Sequence, residues 1–193
     1  MKKISAISKL VIITSALLMT IAFFVPLWRI MMWAPQYPEW LTMKIWINNI
    51  TGNIKIINGL NHYIGMKLIE PGMFPEFGYM SYLLGSLIGF GVIAGIIGRR
   101  WSVFTFLGLL IAAGIAALVD FYLWGYDYGH NLNPDAAIQV PGMTYQPPLI
   151  GTKQLLNFTA FSGPDIGSWI FILSGLLVFG VIIYEWKSKS ANK

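Results

Sequence analysis

Apolar and polar positions divide this chain into four long greasy runs separated by two extended polar stretches. Leu10 to Trp28 is nineteen residues without a charge. That is roughly the length needed to cross a ~30 Å hydrocarbon core at 1.5 Å per residue. Tyr79–Gly98, Trp101–Val119 and Ile166–Tyr184 repeat the pattern. The runs predict transmembrane helices at about 10–28, 79–98, 101–119 and 166–184, within a single membrane domain covering 1–193. The stretches between them, 29–78 and 120–165, are too polar and too broken by proline and glycine to span. In the first, MKIWIN (Met43 to Asn48) and IKIIN (Ile54 to Asn58) read as short strands around the turn residues NITGN, so a small β-hairpin is expected. Asn58 is expected to cap a short helix over roughly Gly59 to Ile69, stopped by Pro71-Gly72. The fold class that follows is all-α integral membrane: a four-transmembrane-helix bundle with two large outward loops, the first carrying the hairpin.

A basic start before an apolar run is also the pattern of a secretory signal. The apolar part of such a signal is about 7–15 residues long and ends in small residues. Here the run is longer and ends Val25-Pro26-Leu27-Trp28-Arg29, so a retained helix is expected. The second span carries two small-xxx-small pairs, Gly85/Gly89 and Gly91/Gly95. In a bilayer such pairs let helix backbones approach closely.

Composition agrees with a membrane chain. Of 193 residues, 56% are hydrophobic and 11% charged, against about 25% charged in soluble domains. The absence of cysteine excludes disulfides, thiolate metal sites and CxxCH haem attachment within the chain. The net charge of +5 is unevenly spread. The N-terminus, the 98–101 turn and the C-terminal tail hold eight basic residues and one acid, Glu185. The two long stretches hold five basic residues and seven acids. The positive-inside rule then places both termini in the cytoplasm and both loops outside. The basic balance is an orientation signal, and no nucleic-acid partner is expected.

Candidate chemistry concentrates in Gly59–Phe77, GLNHYIGMKLIEPGMFPEF, and in the second loop. On a continuous helix His62, Met66 and Glu70 would share one face. The second loop adds His130 and Met143. Imidazole with thioether is a ligand set suited to a soft ion such as Cu(I), so His62, Met66, His130 and Met143 are the candidate metal ligands. The competing reading has both histidines hydrogen-bonded within the loops and both methionines packed. No catalytic motif is present: there is no GxSxG, HExxH, Walker loop or GxGxxG. No ionisable residue lies inside a span, which argues against a proton or ion path. An enzyme is therefore not expected.

The runs WAPQYPEWL, INGLNHYIGM and VPGMTYQPPLIGTKQLLNF resemble a family of small four-helix membrane proteins encoded with atypical (clade II) nitrous oxide reductase gene clusters. The resemblance covers most of the chain and implies an inner-membrane accessory role in maturing or sustaining a periplasmic copper enzyme. It transfers no catalytic residue. Two alternatives stay open. One is an electron-transfer component holding a quinol head group beside Asp120 or His130. The other is a purely structural subunit of a membrane complex. In each case the expected partners are the lipid bilayer and a membrane or periplasmic protein.

Overall fold

The computed structural model describes residues 3–190. Four helices are long and apolar enough to cross a membrane, in 6–23, 80–97, 100–130 and 166–188. They comprise α1 (Ala6–Leu18, continued by a 3-10 turn over Met19–Phe23), α3 (Met80–Ile97), α4 (Arg100–His130) and α5 (Ile166–Ser190). A shorter helix, α2 (Ile54–Ile64), lies between α1 and α3 in sequence. Helix α1 packs against α3 and α5, and α4 also packs against α3 and α5. Ile12, Ala16, Met19, Leu84, Phe106 and Val178 are among the residues that fill the core between them. Two buried serines within the bundle satisfy their hydroxyls on helix carbonyls, as a site without water favours. The Ser174 hydroxyl donates to the Ser15 carbonyl at 2.9 Å, and Ser102 donates to Ala94 at 3.0 Å.

The three basic segments meet at one end of this bundle. Lys3 pairs with Arg99, and the Ile4 N–H donates to the Gly98 carbonyl at 2.9 Å. Glu185, 6% exposed, accepts from the Ser5 N–H and the Ser8 hydroxyl, each at 2.7 Å. A carboxylate there answers the unpaired N–H groups and positive dipole end of α1.

The opposite end corrects the all-α expectation. The two long stretches between the spans build one five-stranded antiparallel sheet of β1 (Trp28–Trp33), β2 (Leu41–Ile45), β3 (Ile50–Gly52), β4 (Gly151–Leu155) and β5 (Phe158–Pro164), in the order β3-β2-β1-β5-β4. The fold is mixed α/β. The central pairing, β1 with β5, aligns Ile30 with Ser162 and Met32 with Ala160. It thereby joins residues more than a hundred positions apart. Local patterning does not report such a partner, and the alternation in WRIMMW is too short to stand out beside a nineteen-residue apolar run.

Two further boundaries move. A hairpin does form, but from Leu41–Ile45 and Ile50–Gly52: its second strand lies within the expected turn NITGN, and IKIIN is the start of α2. Its isoleucines serve the helix: Ile57 and Ile64, with Asn61, make the buried face. Packing here overrides the β preference of the branched side chains. Asn58 is not the cap. It sits within α2 and clamps Ile69, accepting from its N–H at 2.7 Å and donating to its carbonyl at 3.0 Å. The third span also runs on past Val119 to His130. Its 31 residues extend about 46 Å, well beyond a ~30 Å hydrocarbon core. The surplus turns carry Phe121, Trp124 and Tyr128 into a second core with Ile30, Leu41, Met43 and Ile57 of the sheet domain.

Sheet and bundle are tied where the first span leaves and the last begins. The Leu27 carbonyl accepts from the Asp165 N–H (2.8 Å) and the Ser168 hydroxyl (2.7 Å), and the Pro26 carbonyl accepts from the Gly167 N–H (2.9 Å). A Cβ at Gly167 would lie 2.6 Å from Leu27 Cδ2 and 3.1 Å from the Pro26 carbonyl oxygen, so any larger residue at this close crossing obliges Leu27 to move.

Candidate functional site

The two segments that hold the candidate ligands meet. At the C-terminal end of α2, the Tyr63 carbonyl accepts from the Ile138 N–H at 2.8 Å and the Gly65 carbonyl from the Asn133 N–H at 2.8 Å. At the end of α4, the Gly129 carbonyl accepts from the Tyr145 N–H at 3.0 Å. Lys67 and Asp127 add an exposed ion pair at 2.5 Å, a contact of small energetic weight at such exposure. The loop 131–147 is thus bound against both α2 and α4.

The four side chains take different roles within this arrangement. Helix α2 ends at Ile64, and Gly65 is left-handed at φ 81°. Met66 and Glu70 therefore do not continue the helical face of His62. His62 is exposed in the last turn of α2, its ring edge-on to Tyr63 at 6.0 Å. His130 ends α4 and stacks on Tyr126, with centroids 3.9 Å apart. Its Nδ1 lies 3.0 Å from the Tyr126 carbonyl oxygen. A carbonyl only accepts, so Nδ1 is the donor in this contact. Met143 is half-buried in a turn closed by its own N–H on the Val140 carbonyl at 3.0 Å. Met66 alone of the four lines the cavity of the sheet domain. Among the described residues no group of three or more His, Asp or Glu side chains gathers as a metal site.

That cavity, about 60 Å³, lies between the inner sheet face, α2, the end of α4 and the segment around Tyr145. Its walls are almost wholly carbon and sulfur. Met32 of β1 and Met43 of β2 join Met66 there, with Trp124 and Tyr145. Met43 is 3% exposed and Tyr145 2%. The Tyr145 hydroxyl is buried without a hydrogen-bond partner. A hydroxyl left in that state costs on the order of 1–3 kcal/mol. The Trp124 indole N–H also makes no hydrogen bond, although its ring lies 4.7 Å from that of Tyr128. Tyr128, by contrast, donates to the Leu68 carbonyl at 3.0 Å.

Met32, Met43 and Tyr145 are not among the residues that sequence reasoning selects. The available signal was period two: Trp28, Ile30 and Met32 share one face of a strand, as do Leu41 and Met43. Only the pairing of β1 with β2 brings those faces together, setting Ile30 opposite Met43 and Met32 opposite Leu41. The chain matches no protein-family model and no curated protein.

Proposed function

We propose that this chain is a non-enzymatic, multi-pass accessory protein of a bacterial inner membrane. In this reading it supports the maturation or activity of a periplasmic copper enzyme of the nitrous oxide reductase type, with copper as cargo. The observation that carries the reading is the outer domain itself. Both outward stretches are spent on one sheet, capped by α2 and the end of α4 and fastened to the spans at Leu27 and Gly167. Such a construction gives a partner protein a fixed surface at a set height above the bilayer. The resemblance of WAPQYPEWL, INGLNHYIGM and VPGMTYQPPLIGTKQLLNF supplies the identity of the partner.

The test is deletion of the gene in a host that makes the reductase. The purified reductase is expected to lose copper or activity and to regain it when the gene is restored. A reductase with full copper content and full activity in the deletion strain would refute the accessory role.

Orientation has its own test. The reading puts both termini in the cytoplasm and the sheet in the periplasm. Lys55 and Ala137 are exposed in the outer domain, and Ser188 is exposed near the other end. With no native cysteine, single substitutions to Cys give clean reporters. In intact spheroplasts a membrane-impermeant thiol reagent is expected to label Lys55→Cys and Ala137→Cys but not Ser188→Cys. The reverse pattern would invert the topology.

A further inference from the structure

We infer that the cavity of the outer domain is a thioether site for a soft monovalent cation, Cu(I), with Met32, Met43 and Met66 as ligands. Three separate segments deliver these side chains to one space. Met32 comes from β1, Met43 from β2 and Met66 from the turn after Gly65. In the β1–β2 register Ile30 faces Met43 and Met32 faces Leu41. The two methionines are therefore diagonal neighbours on the inner face, within reach for long side chains. Asn61 holds the third ligand's backbone, its carbonyl accepting from the Met66 N–H at 2.9 Å.

The chemistry of the wall selects among occupants. A cavity of about 60 Å³ holds several waters by volume, since one needs roughly 10–15 Å³. Each buried water also needs two to four polar partners, and this wall offers few beyond the Tyr145 hydroxyl and Asn61. Hard cations such as Mg²⁺ and Ca²⁺ require oxygen ligands, and structural Zn²⁺ takes thiolate, imidazole or carboxylate. Thioethers favour Cu(I). The single positive charge is the cost of such a site, and two wall features offset it. Trp124 lines the space, and the face of an aromatic ring attracts a desolvated cation. The Tyr145 hydroxyl is buried and unpartnered, so its oxygen lone pairs are unclaimed. Methionine is also a common core filler, and the variants below separate that role from ligation.

This inference rests on the copper reading given above, but the two fail separately. An accessory that only docks its partner leaves the deletion phenotype intact and binds no Cu(I) itself. The full chain, purified in detergent under reducing conditions, is titrated with Cu(I) against a chromophoric chelator, with Ag(I) as a redox-inert parallel. About one ion per chain is expected, with sulfur as the dominant nearest shell in the copper X-ray absorption spectrum. Leucine preserves most of the volume of methionine, so Met32→Leu, Met43→Leu and Met66→Leu should each keep the melting behaviour. Each should weaken binding on the order of tenfold to a hundredfold, as loss of a group that supports a metal typically does. His62→Ala and His130→Ala should bind as wild type does. Three results would overturn the site: no binding by wild type at micromolar Cu(I), binding as tight as wild type by all three leucine variants, or a nitrogen shell that disappears in the histidine variants.

Discussion

Gly129→Ala is expected to detach the 143–147 segment from α4. A Cβ at Gly129 would stand 2.3 Å from the Gln146 nitrogen and 2.4 Å from its Cα. These are backbone atoms, so no side-chain rotation relieves the clash. The Tyr145 N–H bond to the Gly129 carbonyl and the burial of Tyr145 both depend on the same approach. Helix propensity favours alanine by only ~1 kcal/mol, whereas forced overpacking costs typically 1–3 kcal/mol and more where backbone must move. The variant is therefore expected to lose roughly 3 kcal/mol in the sheet domain while the spans stay folded. Limited proteolysis should show new cleavage within 131–150, with far-ultraviolet circular dichroism nearly unchanged. A cleavage pattern identical to wild type would mean that the close approach is not maintained in solution.

The second large effect lies in the bundle, and it splits two glycines of one helix. A Cβ at Gly91 would meet Phe106 Cζ at 2.4 Å and Ala16 Cβ at 2.7 Å, and both of those residues are fully buried. A Cβ at Gly89 meets nothing within 4 Å. Gly91→Leu is accordingly expected to destabilise the bundle by about 3 kcal/mol or to prevent assembly. Gly89→Leu should be neutral or slightly stabilising because it restores helix propensity. Apparent melting temperatures in detergent decide the matter. Equal melting for the two variants would exclude the α1–α3–α4 contact described here.

These glycines also show what the sequence could convey. The motif Gly85/Gly89 and the motif Gly91/Gly95 look alike on paper. Only the second packs, with Gly95 against Ile13 and Gly91 against Ala16 and Phe106. Spacing marks which positions permit close approach; it does not mark which face of a uniformly apolar helix receives a neighbour. The four spans were legible because hydrophobic length is a local property, and the clustering of basic residues at one end was legible for the same reason. The sheet was not, because β1 and β5 recognise each other across the whole bundle. The length of α4 was hidden by Asp120, which reads as a helix end but sits ten positions before one. Of the candidate ligands, Met66 does reach a cavity, yet its companions there come from strands whose register no local pattern reveals. His62 and His130 lie on neighbouring segments, but one is exposed and the other stacks on its own helix.

The β1–β5 pairing also sets the order in which the molecule can be made. Trp33 and Thr159 are register partners 126 positions apart. At roughly 5–20 residues per second of synthesis, β1 waits about 6 to 25 s for its central neighbour to leave the ribosome. During that interval β1 has β2 on one side and an open edge on the other, the kind of edge that invites association with foreign strands. A nascent chain stopped before Phe158 would hold α1, α3 and α4 yet present that edge permanently. Quality control of this protein therefore has a definable checkpoint: delivery of β5, with the head of the last span, to the side where β1 is already waiting.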